Sequence, residues 1–281
     1  MNKMELPENS KIRFSKRKAW LPALLFGWVL LMAQPVLADF QKGWAAYQSG
    51  DFAGALKVWR KLAAQGDSRA QFNLGVMHDE GRGVAESREK AISWWKKAAA
   101  QNDKQAQHNL GLAYIGGAGV ERDYGKAVGW LEKASKQGLA RSQYSLGKMF
   151  SYGLGVKKDA AEAFKWIQMA ANSGVYQAQY NLGKIYREGT GTQKDLKASA
   201  RWFLAAARQG YAKAQNHIGI RLAKGVGIKQ NKVEAVKWLV LAEKAGHKLA
   251  KLNLKALLPA LSKGEIQKGK SLAKAWKPKS K

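Results

Sequence analysis

Residues 103–138 read DKQAQHNLGLAYIGGAGVERDYGKAVGWLEKASKQG, and the same 36-residue pattern begins at Asp67, Asp103, Leu139, Val175 and Tyr211 without insertion between copies. The ninth residue of each copy is a glycine (Gly75, Gly111, Gly147, Gly183, Gly219), preceded by Leu74, Leu110, Leu146, Leu182 and Ile218. A tryptophan recurs as Trp94, Trp130, Trp166, Trp202 and Trp238, and a glycine pair as Gly81/Gly83, Gly117/Gly119, Gly153/Gly155, Gly189/Gly191 and Gly225/Gly227. A fixed period of this length is the signature of stacked supersecondary units. The chain is an array.

Each unit divides into a helix A, a glycine loop and a helix B. Ala106, Leu110 and Tyr114 lie four apart and share one face of helix A. Gly111 inside that helix costs about 1 kcal/mol against alanine. Five recurrences of the cost predict a compensating gain, the close approach of helix B. Glycine just past a helix readily adopts the left-handed cap, so Gly117-Ala118-Gly119-Val120 ends helix A. Asp123 then stands where an N-cap belongs, echoed by Ser87, Asp159, Asp195 and Asn231. Helix B is predicted to bury Ala127, Trp130, Leu131 and Ala134, and Gly138, Gly174, Gly210 and Gly246 break it before the next unit. A tryptophan buries about 150–250 Å². Thirty-six residues cannot close a core alone, so neighbouring units must share that surface. Trp166→Ala is therefore expected to cost several kcal/mol, more than Trp276→Ala at the end of the chain.

The flanks differ from the units. Lys11, Arg13, Lys16, Arg17 and Lys18 precede an apolar stretch from Ala19 to Ala33, and Val36-Leu37-Ala38 supplies small residues before Asp39. That order reads as a cleaved export signal over residues 1–38. An uncleaved anchor is the rival, although the apolar run is shorter than the roughly 20 residues a span needs. Residues 39–66 read as a shorter helix pair turning at Ser49-Gly50-Asp51, and 247–281 as a C-terminal cap. There Ser262 and Glu265 have capping-box spacing, and ten lysines face one acid.

Alanine, leucine-glycine, the G-x-G turn, alanine-x-x-tryptophan and a closing alanine-x-x-x-glycine, in five copies over residues 67–246, resemble the Sel-one-like repeat family, a relative of the tetratricopeptide repeat. The resemblance implies an all-α fold, a right-handed α-solenoid of antiparallel helix pairs with about fourteen helices in the mature chain. It also implies a scaffold for protein complexes, often exported in bacteria and tied to the envelope. Ser199, Thr192 and Asn102 depart locally from the pattern, and His78 takes a slot where tyrosine is usual.

Composition narrows the chemistry. With 49 basic and 20 acidic residues the chain carries +29, which attracts anionic partners. Cysteine is absent, which excludes disulfides, thiolate metal sites and cysteine nucleophiles. No strand precedes the glycine pairs and no G-K-S/T follows, so they are turns and not phosphate loops. His78, His108, His217 and His247 lie in separate units without ligand spacing, and no Ser/His/Asp set stands out. The reading is thus no catalytic residue, no metal, no cofactor and no small-molecule substrate. An export signal, and tryptophans at core spacing, argue against nucleic acid.

Contacts are sought where the units differ. Tyr144, Lys148, Tyr180, Lys184 and Arg221 on the A helices form the candidate strip, since tyrosine with cationic side chains is the composition of a hot spot. The alternative is that the aromatics fill the grooves between units while the lysines are solvated. Gln71, Gln107, Gln143, Gln179 and Gln215 read as helix-linking hydrogen bonders. The functional expectation is an exported, non-enzymatic envelope scaffold holding an acidic protein on its concave face. The alternative is an anionic glycan or lipid head group on the basic C-terminal region.

Overall fold

A computed structural model describes residues 38–278. The export signal assigned above lies outside these residues apart from Ala38, as do the last three positions of the chain. Among the described residues there are fourteen α-helices and no strand. Two compact units divide between Val58 and Trp59, inside the second helix.

The first unit holds α1 (38–48) and the opening of α2 (Phe52–Ala64). Gly50 takes φ +86 at the turn, and the Asp51 carboxylate accepts from the Gly54 N–H at 2.8 Å, capping α2. Trp44 stacks on Tyr47 at 5.8 Å, and Tyr47 meets Phe52 edge-on at 5.4 Å.

The second unit contains the array. Its A and B helices alternate: α3 (Ser68–Glu80), α4 (Arg88–Ala100), α5 (Lys104–Gly116), α6 (Tyr124–Lys136), α7 (Ala140–Tyr152), α8 (Ala160–Asn172), α9 (Tyr176–Glu188), α10 (Leu196–Arg208), α11 (Ala212–Lys224) and α12 (Lys232–Lys244). The cap follows as α13 (Lys248–Leu257), a 3-10 turn at Leu258–Ala260 holding Pro259, and α14 (Lys263–Ala275). Each array helix is 13 residues long, about 20 Å at 1.5 Å per residue.

Local chemistry fixes those ends. Ser87, Asp123, Asp159, Asp195 and Asn231 each accept backbone N–H bonds in the first turn of a B helix. The same five residues donate their own N–H back to helix A, to the carbonyls of His78, Tyr114, Phe150, Tyr186 and Leu222 at 2.8–3.0 Å. That recurring bond closes the glycine loop at one length. Helix B ends in a Schellman arrangement, as where Leu139 N–H reaches the Ala134 carbonyl and Gly138 N–H that of Ser135. Asn102 replaces glycine at this turn and still takes φ +64, a region asparagine tolerates. Only Asp67 and Asp103 cap A helices through a side chain, while Leu139, Val175, Tyr211 and His247 do not.

Packing explains the glycine within helix A. A Cβ on Gly147 would lie 2.7 Å from Ile167 Cγ1, 3.2 Å from Ile167 N and 3.3 Å from the Ala163 carbonyl oxygen. On Gly111 it would meet Leu131 Cγ at 2.7 Å, and on Gly219 Leu239 Cγ at 2.7 Å. Helix B thus packs onto a side-chain-free patch of helix A.

The residue seated there is not the recurring tryptophan but the one after it. Trp95, Leu131, Ile167, Phe203 and Leu239 are buried, whereas Trp94, Trp130, Trp166 and Trp202 are half-buried. Of the helix B residues expected to be buried, Ala127, Leu131 and Ala134 are, while Trp130 is only partly covered. One residue turns the helix by 100°, which aims the tryptophan away from its own helix A and along the core of the preceding unit boundary. Trp130 packs on the cluster of α4 and α5 as well as on that of α6 and α7, and Trp166 packs on the latter. Trp238 is fully buried because Trp276, beyond α14, meets it edge-on at 5.9 Å.

Candidate binding face

The A helices are tied to their surroundings by two hydrogen-bond series. In the first, Gln71, Gln107, Gln143, Gln179 and Gln215 donate through Nε2 to the carbonyls of Ala63, Ala99, Ser135, Ala171 and Ala207 in the preceding B helix at 3.2–3.4 Å. Three of the five also accept through Oε1 from a second glutamine thirty residues on, in the pairs Gln101–Gln71, Gln137–Gln107 and Gln209–Gln179 at 2.8–2.9 Å. Where that second position is Ser173 or Ala245, the buried Oε1 of Gln143 or Gln215 has no partner. A buried acceptor left unmade costs about 1–3 kcal/mol. Ser173→Gln and Ala245→Gln are each expected to raise stability by about 1 kcal/mol, read from the urea midpoint. No gain in either would show that those oxygens are satisfied by other means.

The second series runs from one A helix to the next. Asn181 Nδ2 donates to Tyr144 Oη at 2.7 Å, Tyr180 Oη meets His217 Nε2 at 3.3 Å, and Asn253 Nδ2 donates to Asn216 Oδ1 at 2.8 Å. His108 Nδ1 pairs with Ser142 Oγ at 2.8 Å. Each bond joins the sixth residue of a unit to the following unit.

These bonds decide where the candidate strip lies. Tyr144 and Tyr180 are half-buried, fill the grooves between units and are held by Asn181 and His217. Tyr180 also packs on Phe203 at 5.6 Å and Tyr211 at 5.2 Å. Burial raises the pKa of both phenols, so they stay protonated. Lys148 is exposed and Lys184 half-buried. Arg221 is buried, a departure from its expected place on the strip: it shares a column with the core residues Met77 and Met149. Its guanidinium lies 5.2 Å over the Phe203 ring and donates to the Val226 carbonyl at 3.2 Å. Desolvation lowers its pKa. Tyr180, His217, Phe203 and Arg221 therefore form one packed group, and the cationic surface of the strip reduces to Lys148 and Lys184. Sequence reasoning did not find His217 as the partner of Tyr180. Its signal was the recurring Asn73, Asn109, Asn181 and Asn253 at the same register position.

Two histidines in this face are held neutral. Burial pushes the pKa of His108 down to about 4, with the Arg141 charge adding to it. Burial likewise takes His217 to about 4, with Arg187 and Arg221 nearby. An unfolded histidine titrates near 6.5. Between the two values the unfolded chain binds protons that the folded chain refuses, so stability falls as pH drops. The loss begins near pH 7 and is complete by about pH 4, about 3 kcal/mol for His108 and less for the more exposed His217. Urea titrations at pH 7.5 and 5 are expected to show His108→Gln with a smaller pH dependence than the parent. An unchanged slope would contradict this.

The group of ≥3 His, Asp or Glu side chains needed to hold a metal does not occur among the described residues. No described helix is long and apolar enough to cross a membrane.

Antiparallel hairpins in register, glycine-seated B helices and hydrogen bonds from A helix to A helix define residues 59–278 as an α-solenoid of short helical repeats. The Sel1 repeat profile matches residues 68–103, 104–139, 140–175, 177–211 and 212–247, and the chain belongs to the Sel1 repeat family. Proteins of this family are generally interaction scaffolds without catalysis. A protective antigen present in uropathogenic Escherichia coli strains, which displays an SLR fold, is 28% identical with a TM-score of 0.78 over 88% of this chain. The present chain spans about half of that one, 54%. A Sel1 repeat protein from Oxalobacter formigenes is 31% identical with a TM-score of 0.68, covering 73% of this chain and 84% of that one. No curated protein matches the sequence.

Proposed function

We propose that this chain is an exported, non-enzymatic scaffold of the cell envelope that holds an acidic protein on the exposed faces of its A helices. The observation that carries the reading is the pair Lys148 and Lys184, one unit apart in a single column. Neither lysine has a carboxylate partner among the described residues. They stand beside tyrosines that the neighbouring units hold in place. Fixed aromatic area next to unmatched charge suits a partner whose carboxylates repeat at the same spacing, and the basic balance of the chain speeds encounter with it. Export is supported by the basic, apolar and small-residue order of residues 1–38.

Lys148→Glu with Lys184→Glu tests the face without disturbing the packed tyrosines. Recovery of an acidic partner from an envelope extract at low salt is expected to fall at least tenfold, with the helical circular dichroism unchanged. Recovery from the parent is expected to weaken as salt rises. Unchanged recovery by the double variant would remove this face from the function.

A further inference from the structure

Among the described residues the series of bonds between A helices stops at α13, which is followed by a 3-10 turn and α14. Tyr144, Tyr180 and Asn216 are each covered from the next A helix, but Leu252, at the same register position of α13, is 62% exposed. Leu249, one turn earlier, is 59% exposed. These are the most exposed large aliphatic side chains among the described residues. On a helix of 100° per residue they share one ridge with the exposed Ala256. Lys248, Lys251 and Lys255, all exposed, follow along one flank of that ridge, and Asn253 ties the other flank to α11.

The charge continues past α13. A cavity of about 450 Å³ between α12, α13 and α14 has Val240, Leu254 and Leu258 in its wall, with Lys244, Lys270 and Lys274 around it against one acid, Glu243. None of these six lysines has a carboxylate partner among the described residues. The one acid after residue 247, Glu265, is engaged in the capping box with Ser262.

We propose that this end of the array docks on an anionic lipid surface, with Leu249 and Leu252 entering the interface and the lysines lying among the head groups. Two features favour a lipid surface over a protein. Every basic residue from Lys248 onward is lysine, and those on α13 border exposed leucines, whereas Lys148 and Lys184 stand beside tyrosines that neighbouring units hold in place. A bilayer surface also presents anions at uniform density, which suits flexible point charges that match no fixed geometry. An apolar ridge bordered by lysine is the composition of an interfacial helix. This goes beyond the scaffold reading, which concerns the A-helix faces of the central units.

The test is co-sedimentation of the protein with vesicles of phosphatidylcholine carrying 30% phosphatidylglycerol, and with phosphatidylcholine alone. The parent is expected to bind only the anionic vesicles at about 0.1 M salt, and to release as salt rises. Leu249→Ser with Leu252→Ser keeps every charge and is expected to lower partitioning at least tenfold. Lys248, Lys251 and Lys255 changed together to glutamine are expected to lower it as much. Equal binding by the serine variant would reduce the effect to charge alone and overturn the proposal. So would absence of binding by the parent, or a photo-crosslinker at position 252 that captures protein in place of lipid in the intact envelope. Loss of binding here, with partner capture by Lys148 and Lys184 intact, separates this proposal from the scaffold reading.

Discussion

Gly191→Ala is expected to lower stability by about 4 kcal/mol, while Gly189→Ala, two residues away, lowers it by about 1 kcal/mol. Both glycines have positive φ, +73 and +75, so both substitutions carry left-handed strain. Their surroundings differ. A Cβ on Gly189 would be only slightly crowded, the nearest atom being Lys194 N at 3.3 Å, which a shift of a few tenths of an ångström relieves. On Gly191 it would run into the backbone at the start of α8, against the Ala160 carbonyl and the Ala161 nitrogen. Gly155 and Gly227 sit in the same way on the backbone of the preceding B helix, at Tyr124 and Leu196. The second glycine of these three loops is thus a point of close approach between units, and backbone cannot move aside as a side-chain tip can. Overpacking costs about 1–3 kcal/mol and strain about 1–2 kcal/mol, and at Gly191 the two occur together. Urea titration of the two variants checks the ordering, and equal losses would mean that the loop does not bear on its neighbour.

Phe203→Ala is expected to cost about 4 kcal/mol, twice the loss from Trp202→Ala beside it. Phe203 has no exposed surface. It sits over Gly183, stacks on His217 at 4.8 Å, meets Tyr180 at 5.6 Å and lies under the Arg221 guanidinium. Its removal leaves a cavity below a buried cation, which adds to the lost transfer energy. Trp202 is larger but half-buried, so less of it leaves water on folding. Phe203→Leu is the control, since Leu131 and Leu239 occupy the same column and fit over their glycines. It is expected to cost about 1 kcal/mol. A loss from Trp202→Ala exceeding that from Phe203→Ala would show that the tryptophan contributes more to the core than the residue seated on the glycine.

Part of the candidate face was legible early. The unbroken glutamine column pointed to helix-linking bonds, because an amide that recurs at one register position has the same backbone carbonyl beside it in every copy. Ser199, a departure in the helix B alanine column, is accommodated because its hydroxyl donates to the Gly183 carbonyl at 2.6 Å. The strip was legible only as composition. Tyr144 and Tyr180 proved to be groove residues as well as members of the face, and Arg221 lies below it.

The sequence by itself determined the period, the helix ends and the turns, because caps, Schellman turns and left-handed glycines depend on residues within a few positions of one another. It did not determine which of two adjacent apolar residues, such as Trp166 and Ile167, would face inward. Both fall within one broad apolar arc, and only the rotation of helix B against its glycine chooses between them. Nor could it place Arg221, or leave Leu249 and Leu252 uncovered at the end of the array. Burial there is set by what the next unit contributes, and that is a property of the packed structure and not of any stretch of chain.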